Sequence, residues 1–194
     1  MSATDSPTDV LLTRPRRADA RRNYDKVIAA ARDAFAEGGA STSLEEIARR
    51  AEVGIGTLYR NFPNRQALLE AVYVGELDGL CHAAGELDEA EPWEALVSWL
   101  RRFVSYMATK QALAQELLNY VDRDAPLFKS CREMMYEAGE PLLARAQEAG
   151  AVRPDTNLSE IIQMVGGIAK IQGAPPAQIE HILDIALDGL RYRE

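Results

Sequence analysis

Apolar residues recur along most of this chain at the three- and four-residue spacing of helices that bury one face. The first such stripe begins near Asn23, and Gly38-Gly39 is predicted to end its helix. Its members are Val27, Ile28, Ala31, Ala34 and Phe35. Two short helices are predicted to end near residues 51 and 62, and longer ones to span 64–80, 93–109, 113–120, 126–148, 158–171 and 177–191. No stretch alternates with the period of a strand, so the pattern predicts an all-α fold of about nine helices.

The two short helices have the spacing of a helix-turn-helix. Either Thr42 or Ser43 can cap the first, because Glu45 and Glu46 lie three residues on. Gly54 is placed in the turn, Pro63 stops the second helix, and Asn64 caps the helix that runs through Leu80. In such a unit the second helix can enter the major groove of DNA.

At about 100° per residue, the second short helix has a buried side and an outward side. Leu58 and Phe62 are predicted to pack inward, against Ile47, Ala48 and Ala51. Gly56, Thr57 and Arg60 point outward, with Tyr59 at the flank. Glycine permits close approach of the backbone, while Thr, Tyr and Arg side chains can bind phosphates or base edges. Thr42 and Ser43, at a helix N-terminus, form a further candidate phosphate site, and Arg65 lies at the start of the next helix.

The distribution of charge supports a nucleic-acid partner although the net charge is -8. Residues 14–65 hold 11 Lys or Arg against 7 Asp or Glu, a net charge of +4, whereas residues 71–194 hold 11 against 20, a net charge of -9. One end of the chain can therefore bind phosphates. Residues 1–20 are predicted to form a flexible basic arm that carries Arg14, Arg16 and Arg17, with Arg21 directly after it.

Residues 53–69, Val-Gly-Ile-Gly-Thr-Leu-Tyr-Arg-Asn-Phe-Pro-Asn-Arg-Gln-Ala-Leu-Leu, resemble the DNA-binding signature of the TetR/AcrR family of bacterial regulators, and the resemblance extends from about Asn23 to Leu80. It implies a homodimeric, all-helical regulator, usually a repressor that a small molecule releases from its operator. It also implies phosphate contacts by Thr57, Tyr59 and Arg65, and base contacts by the first half of the recognition helix. The family often has Ser at position 54 and Lys at 65, where this chain has Gly and Arg. The full set of predicted DNA-binding residues is Arg14, Arg16, Arg17, Arg21, Thr42, Ser43, Ile55, Gly56, Thr57, Tyr59, Arg60, Asn61 and Arg65.

We therefore predict a basic arm (1–20), a helix-turn-helix domain (21–80) and a helical ligand-binding and dimerisation domain (81–194). Aromatic and Met side chains build adaptable apolar pockets, although any of them can equally be ordinary core. The candidate pocket residues are Trp99, Phe103, Tyr106, Met107, Leu117, Tyr120, Phe128, Met134, Met135 and Met164. The last two helices have apolar faces that are predicted to pair with their symmetry mates in a four-helix interface. The candidate interface residues are Ile161, Val165, Ile168, Ile179, Ile182, Leu183, Ala186 and Leu190.

Other classes of function have less support in the sequence. His82 and His181 lie in no metal-binding or catalytic-triad pattern, so we expect no enzyme, metal or cofactor. No apolar run approaches the length of a membrane span and no secretory signal is visible, which favours a cytoplasmic protein. Cys81 and Cys131 are interpreted as buried thiols rather than a disulfide. An activator of the same family, or a helical adaptor that binds no DNA, remains the alternative to a repressor bound to double-stranded operator DNA.

Overall fold

The computed structural model of the chain describes residues 14–15, 17–38 and 42–192. Within these ranges the fold is all-α, as predicted, and an isolated bridge between Val152 and Arg191 is the one extended pairing. The helices are α1 (Ala18–Gly38), α2 (Leu44–Arg50), α3 (Ile55–Asn61), α4 (Arg65–Gly85), α5 (Pro92–Leu117), α6 (Pro126–Glu148), α7 (Leu158–Ile168) and α8 (Pro176–Asp188).

Helix α5 replaces two helices of the prediction. The predicted break between 109 and 113 is absent, and α5 runs without interruption from Pro92 to Leu117. The intervening residues 110–112, Lys-Gln-Ala, are good helix formers and contain no Gly or Pro, so nothing in the backbone chemistry ends the helix there. Eight helices are named in the described residues, and the predicted fold class is confirmed.

The described residues fall into two compact units. Unit 1 comprises the chain up to Asp78 together with Thr109–Lys129, and unit 2 comprises Gly79–Ala108 together with the residues from Ser130 onward. Helices α4, α5 and α6 each contribute residues to both units. Unit 1 therefore contains the end of α5, which the predicted boundary near residue 80 assigned to the C-terminal domain.

In unit 1, the short helices α2 and α3 are held by a few buried side chains. Ile47 and Leu58 are fully buried, and Phe62 is 2% exposed. The Phe62 ring lies 4.9 Å from that of Tyr24, which belongs to the buried stripe of α1. Isolated helices of seven residues are unstable in water, so this packing against α1 supplies the stability that they lack by themselves. The predicted inward side of the helix-turn-helix is confirmed.

The turn between α2 and α3 contains Gly54, as predicted. Glu52, with φ of 56°, is the residue in the left-handed region, and Gly54 has an extended backbone with φ of -66° and ψ of 142°. Gly54 is the N-cap of α3, where it gives no side-chain hydrogen bond. Left-handed backbone is costly for a residue with a Cβ atom. The Glu52 carboxylate lies 3.6 Å from the Lys26 ammonium, an exposed ion pair that contributes little to holding the turn.

Unit 2 is built around aromatic side chains of α5. Trp99 is fully buried and its indole N–H donates to the Leu80 carbonyl at 3.1 Å. Its ring stacks on that of Phe103, with centroids 6.3 Å apart. Asn157 caps α7 in a reciprocal arrangement with Glu160.

Candidate nucleic-acid interface

The outward side of α3 brings together six of the predicted DNA-binding residues. Ile55 is 39% exposed and Tyr59 is 44% exposed, which are high values for large apolar side chains in a folded domain. The six residues of this side, which we call the α3 face, are Ile55, Gly56, Thr57, Tyr59, Arg60 and Asn61. Leu58, on the opposite side of α3, is fully buried, and this fixes the direction in which the α3 face points.

Two hydrogen bonds order the α3 face around Thr57. Arg60 Nη2 donates to Thr57 Oγ1 at 2.8 Å, and Asn61 Nδ2 donates to the Thr57 carbonyl at 2.9 Å. The guanidinium of Arg60 is thus held over the same turn as the Thr57 hydroxyl. An arginine with five N–H donors keeps most of them for another partner after one such bond. A basic fork and a hydroxyl in adjacent positions suit a phosphate or the edge of a guanine.

Gly56 has no role in packing that the structure reveals. A Cβ atom built at this position meets nothing within 4 Å, and its backbone is not in the left-handed region. Glycine inside a helix is less favourable than alanine by roughly 0.5–1 kcal/mol. Because Gly56 fills no tight space and lies on the α3 face, its backbone is open to the close approach of a partner.

The start of α2 is engaged within the protein. Ser43, and not Thr42, is the N-cap, and its hydroxyl accepts from the Glu46 amide at 3.1 Å. The Thr42 hydroxyl donates to the Ala34 carbonyl of α1 at 2.9 Å. Both hydroxyls thus have structural roles, and the predicted phosphate contacts by Thr42 and Ser43 stay predictions.

A cluster of ion pairs on α2 was missed by the sequence analysis. Arg49 and Arg50 both donate to the Glu46 carboxylate, with shortest distances of 2.8 Å, and Arg50 also reaches Glu37 at 2.7 Å. These hydrogen bonds from Arg49 and Arg50 lower the pKa of Glu46 to about 2. Spacing of i, i+3 and i, i+4 on one helix is a signal for such pairs, but it does not distinguish them from basic residues facing DNA.

Arg65 lies in a different environment from the one expected of a phosphate contact. Its side chain is only 19% exposed, and Nε donates to Glu116 Oε1 at 3.1 Å. Nη1 donates to the Thr42 carbonyl, and the guanidinium carbon lies 5.0 Å from the centre of the Phe35 ring. The structure therefore surrounds Arg65 with protein groups, because Glu116 of α5 supplies a carboxylate that local sequence patterns could not place there.

The basic arm is only partly described. Arg14 Nη2 donates to Asp78 Oδ2 at 2.9 Å, and Asp78 is the buried charged residue of α4. Arg17 and Arg21 are exposed, and Arg21 Nε lies 3.5 Å from the Pro15 carbonyl. Arg16 lies outside the described residues. The ion pair directs the Arg14 guanidinium toward α4, and residues 18–20, predicted as arm, belong to α1.

The predicted pocket residues are distributed over both units. Leu117, Tyr120 and Phe128 belong to unit 1, and the remaining seven belong to unit 2. Tyr120 is 43% exposed, so its side chain lies at the surface rather than in an enclosed cavity. Four of the others are half-buried, and five are buried: Trp99, Phe103, Tyr106, Leu117 and Met135. A shared ligand cavity stays a prediction.

An open groove of about 720 Å³ lies elsewhere in unit 2. Arg153, Asp155, Ile185, Arg191 and Tyr192 are among its lining residues, and none of the predicted pocket residues lines it. Arg153 forms a two-point ion pair with Asp155, at 2.6 and 2.7 Å. The groove forms where the turn after α6 meets the end of α8, a long-range contact without a periodic signal in the sequence.

The predicted dimer-interface residues differ in their burial within the single chain, and the interface itself stays a prediction. Five of the eight are buried in the core of their own chain and offer little surface to a partner: Ile161, Val165, Ile168, Leu183 and Leu190. Ile179, Ile182 and Ala186 are half-buried and stay candidates. Ile185, which the prediction omitted, is 61% exposed on the same helix. The apolar period of α7 and α8 therefore describes mainly how the two helices pack within one chain.

No helix of the described residues is long and apolar enough to cross a membrane. In the same residues, His, Cys, Asp and Glu side chains nowhere group in a way that could hold a metal ion.

Comparisons with known proteins agree with this geometry. Residues 27–72 match the family model of bacterial regulatory proteins of the tetR family, and residues 91–192 match the C-terminal domain of SbtR-like transcriptional regulators. The chain is 41% identical to the TetR transcriptional regulator SCO0520 of Streptomyces coelicolor, over 88% of this chain and 99% of that one, with a TM-score of 0.79. It is 34% identical to a TetR transcription regulatory protein of Mycobacterium vanbaalenii, over 91% and 99%, with a TM-score of 0.75. Among curated proteins, no sequence matches significantly. The helix-turn-helix has an exposed recognition face, and the family matches cover both parts of the chain. Together with the two relatives, this shows that the protein belongs to the TetR family of bacterial DNA-binding transcriptional regulators.

Proposed function

We propose that this regulator is a repressor that binds a palindromic operator as a homodimer and leaves it when a small molecule binds its C-terminal part. The observation that carries the proposal is the α3 face: an exposed side with a glycine, an ordered Thr57–Arg60 pair and a Tyr hydroxyl. The family supplies DNA binding as the general activity, and these residues supply a specific way to achieve it.

On the α3 face, each side chain suits a different part of the groove. The Arg60 guanidinium can donate two parallel hydrogen bonds to the O6 and N7 atoms of guanine. The Tyr59 hydroxyl can donate to one phosphate oxygen at the edge of the groove. Gly56 lets the backbone of α3 come close to the bases. Base contacts give specificity and phosphate contacts fix the register, so the face contains both kinds of group.

A dimer would double this recognition. Two copies of α3 that enter successive major grooves must lie about 34–36 Å apart, one turn of DNA. The acidic composition of residues 71–194, with its net charge of -9, disfavours nonspecific coating of DNA by the rest of the chain. A symmetric dimer therefore predicts a palindrome with half-sites one turn apart.

Loss of the Arg60 guanidinium should weaken specific binding strongly. Arg60→Ala removes one base or phosphate contact from each protomer, at about 1–3 kcal/mol per contact, so the operator Kd should rise about 30-fold or more. The operator is first selected from genomic fragments with purified protein, and its Kd is then measured by fluorescence anisotropy at several salt concentrations. Arg102→Ala is the matched control, because Arg102 is an exposed arginine of α5 outside the α3 face. Equal effects of the two substitutions would show that the α3 face does not recognise the operator.

The exposed Ile185 makes the dimer proposal testable. A large apolar side chain that is 61% exposed between half-buried Ile182 and Ala186 suits a partner helix. Ile185→Glu should raise the dimer dissociation constant by about 30-fold or more, since a charge would be buried at the centre of an apolar contact. Sedimentation equilibrium measures this, and circular dichroism checks that the fold persists. Leu118→Glu, at an exposed leucine outside α8, should leave the dimer intact. A dimer unaffected by Ile185→Glu would exclude this part of α8 from the interface.

Repression and its release need separate tests. A reporter fused to the selected operator should be more active without the regulator than with it, whereas an activator would give the opposite result.

Trp93 and Trp99 are both buried in unit 2, so their fluorescence can report ligands from a panel of small molecules. A ligand that prefers the conformation with weak operator binding lowers operator affinity by at most the ratio of its affinities for the two conformations. A bound ligand that leaves operator affinity unchanged would contradict release by that ligand.

A further inference from the structure

The Arg65 guanidinium joins four segments of unit 1. Arg65 begins α4, its Nη1 donates to the carbonyl of Thr42 directly before α2, and its Nε donates to Glu116 in the last turn of α5 at 3.1 Å. Its flat face lies 5.0 Å from the centre of the Phe35 ring of α1. We call these four residues the Arg65 cluster.

The geometry of the cluster depends on arginine. A guanidinium donates in a fixed plane in two directions and stacks on an aromatic ring at the same time, whereas a lysine ammonium is a compact point charge without such a plane. The side chain of Glu116 is only 12% exposed, and the second oxygen of its carboxylate accepts from Asn119 Nδ2 at 3.4 Å. A charge-assisted pair that is largely removed from water is stronger and more directional than a surface ion pair.

The Thr42 carbonyl is the point at which the cluster reaches the DNA-binding element. It directly precedes Ser43, the N-cap of α2, and α2 packs against α3, with Ile47 and Leu58 both fully buried. Loss of the Arg65 bond would allow the start of α2 to shift, and the α3 face would shift with it. DNA binding depends on such geometry, because a displacement of about 1 Å at a positioned contact is enough to weaken a charge-assisted bond.

We propose that Arg65 and Glu116 are positioning residues for DNA recognition: the pair holds the start of α2 at a fixed place, and Arg65 acts through the protein rather than on a phosphate. This inference rests on the proposed operator binding. It assigns to Glu116, 51 residues away on α5, a role in DNA binding without contact to DNA.

The dependence of operator binding on salt separates this role from a phosphate contact. A lost phosphate contact reduces the slope of log K against log salt by about 0.9, hence by about 2 for a dimer. Arg65→Gln and Glu116→Gln should each raise the operator Kd about 5- to 20-fold and leave that slope unchanged. Arg65→Lys should weaken binding as much as Arg65→Gln does, because lysine retains the charge but not the two-directional geometry.

The combined variant supplies a second criterion. If Arg65 and Glu116 act as one unit, Arg65→Gln with Glu116→Gln should bind DNA no more than about twofold worse than either single variant. Glu137→Gln, at an exposed glutamate of α6, controls for the loss of one negative charge. Thermal unfolding without DNA measures the coupling independently, on the unsubstituted protein, the two single variants and the double variant. The single variants and the double variant should share nearly the same unfolding midpoint.

Three results would overturn the proposal. Tighter operator binding by Glu116→Gln would show that Arg65 contacts phosphate. The same conclusion would follow if Arg65→Gln reduced the salt slope by about 2 while Arg65→Lys bound the operator as tightly as the unsubstituted protein. Additive changes in the unfolding midpoints would show that the pair is not coupled. If the unsubstituted protein selected no DNA, the proposed function would fail, and the unfolding midpoints would still decide whether the Arg65–Glu116 pair couples.

Discussion

Alanine at position 56 should stabilise the free protein and weaken its binding to the operator. The substitution adds a methyl group that meets nothing within 4 Å and replaces glycine in a helix, so the free energy of unfolding should rise by about 0.5–1 kcal/mol. In the complex, two such methyl groups, one in each protomer, would separate the backbone of α3 from the bases. We expect the operator Kd to rise about 30-fold or more, which corresponds to about 1 kcal/mol for each protomer. Chemical denaturation and fluorescence anisotropy measure the two effects.

The prediction for Gly56→Ala is specific because stability should increase while operator affinity decreases. A substitution that simply damages the fold would lower both stability and affinity, whereas Gly56→Ala should separate them. Gly79→Ala is the matched control, because Gly79 is also an exposed helical glycine whose added Cβ atom meets nothing within 4 Å. It should raise stability by a similar amount and leave the operator Kd unchanged. An unchanged Kd for Gly56→Ala would show that α3 does not approach DNA through this residue.

The α3 face could be predicted from the sequence because its signal is local. Helical periodicity over Ile55–Asn61 requires only that one side be buried, and Leu58 identifies that side. The position of Asn64 as a cap was equally local, and its Oδ1 accepts from the Ala67 amide at 2.8 Å. Where contacts fall within one turn of a helix, residue type and spacing are sufficient.

Long-range partners could not be predicted in this way. Arg65 has a basic side chain at a helix start, and the sequence indicates a phosphate contact until Glu116 is placed beside it. The left-handed backbone at Glu52 illustrates a second limit, because the nearby Gly54 is the residue that tolerates this conformation best. Such choices depend on how whole helices pack, which local preferences do not determine.

The apolar faces of α7 and α8 show a third limit. Periodicity identifies residues that avoid water, but it does not distinguish burial within a chain from burial against a partner. Val165 and Leu183 follow the pattern and are core residues, whereas Ile185 lies off the main stripe and is exposed. A surface available for a partner is therefore recognised only after the core of the single chain is known.

In unit 2, the packing around Gly139 leaves no room for a larger side chain. Gly139 lies inside α6 directly against the indole of Trp99. A Cβ atom built at position 139 would lie 2.5 Å from Cη2 of Trp99 and 2.9 Å from Cδ2 of Leu158. Trp99 is fully buried and tied by its N–H to the Leu80 carbonyl, so the ring cannot turn away without losing that bond. Glycine is thus required here by close approach, although it is unfavourable in a helix by about 1 kcal/mol.

Gly139→Ala should therefore lower the free energy of unfolding by about 3 kcal/mol, at the upper end of the usual range for overpacking. Chemical denaturation measures the loss, and Gly79→Ala again provides the control in which the same change raises stability. Trp99→Phe removes the two ring atoms nearest the new methyl group, so the double variant should be less destabilised than the sum of the single variants by about 1 kcal/mol or more. Strict additivity would mean that the methyl group is accommodated without contacting Trp99, and a neutral Gly139→Ala would show that α6 and α5 pack more loosely than this geometry requires.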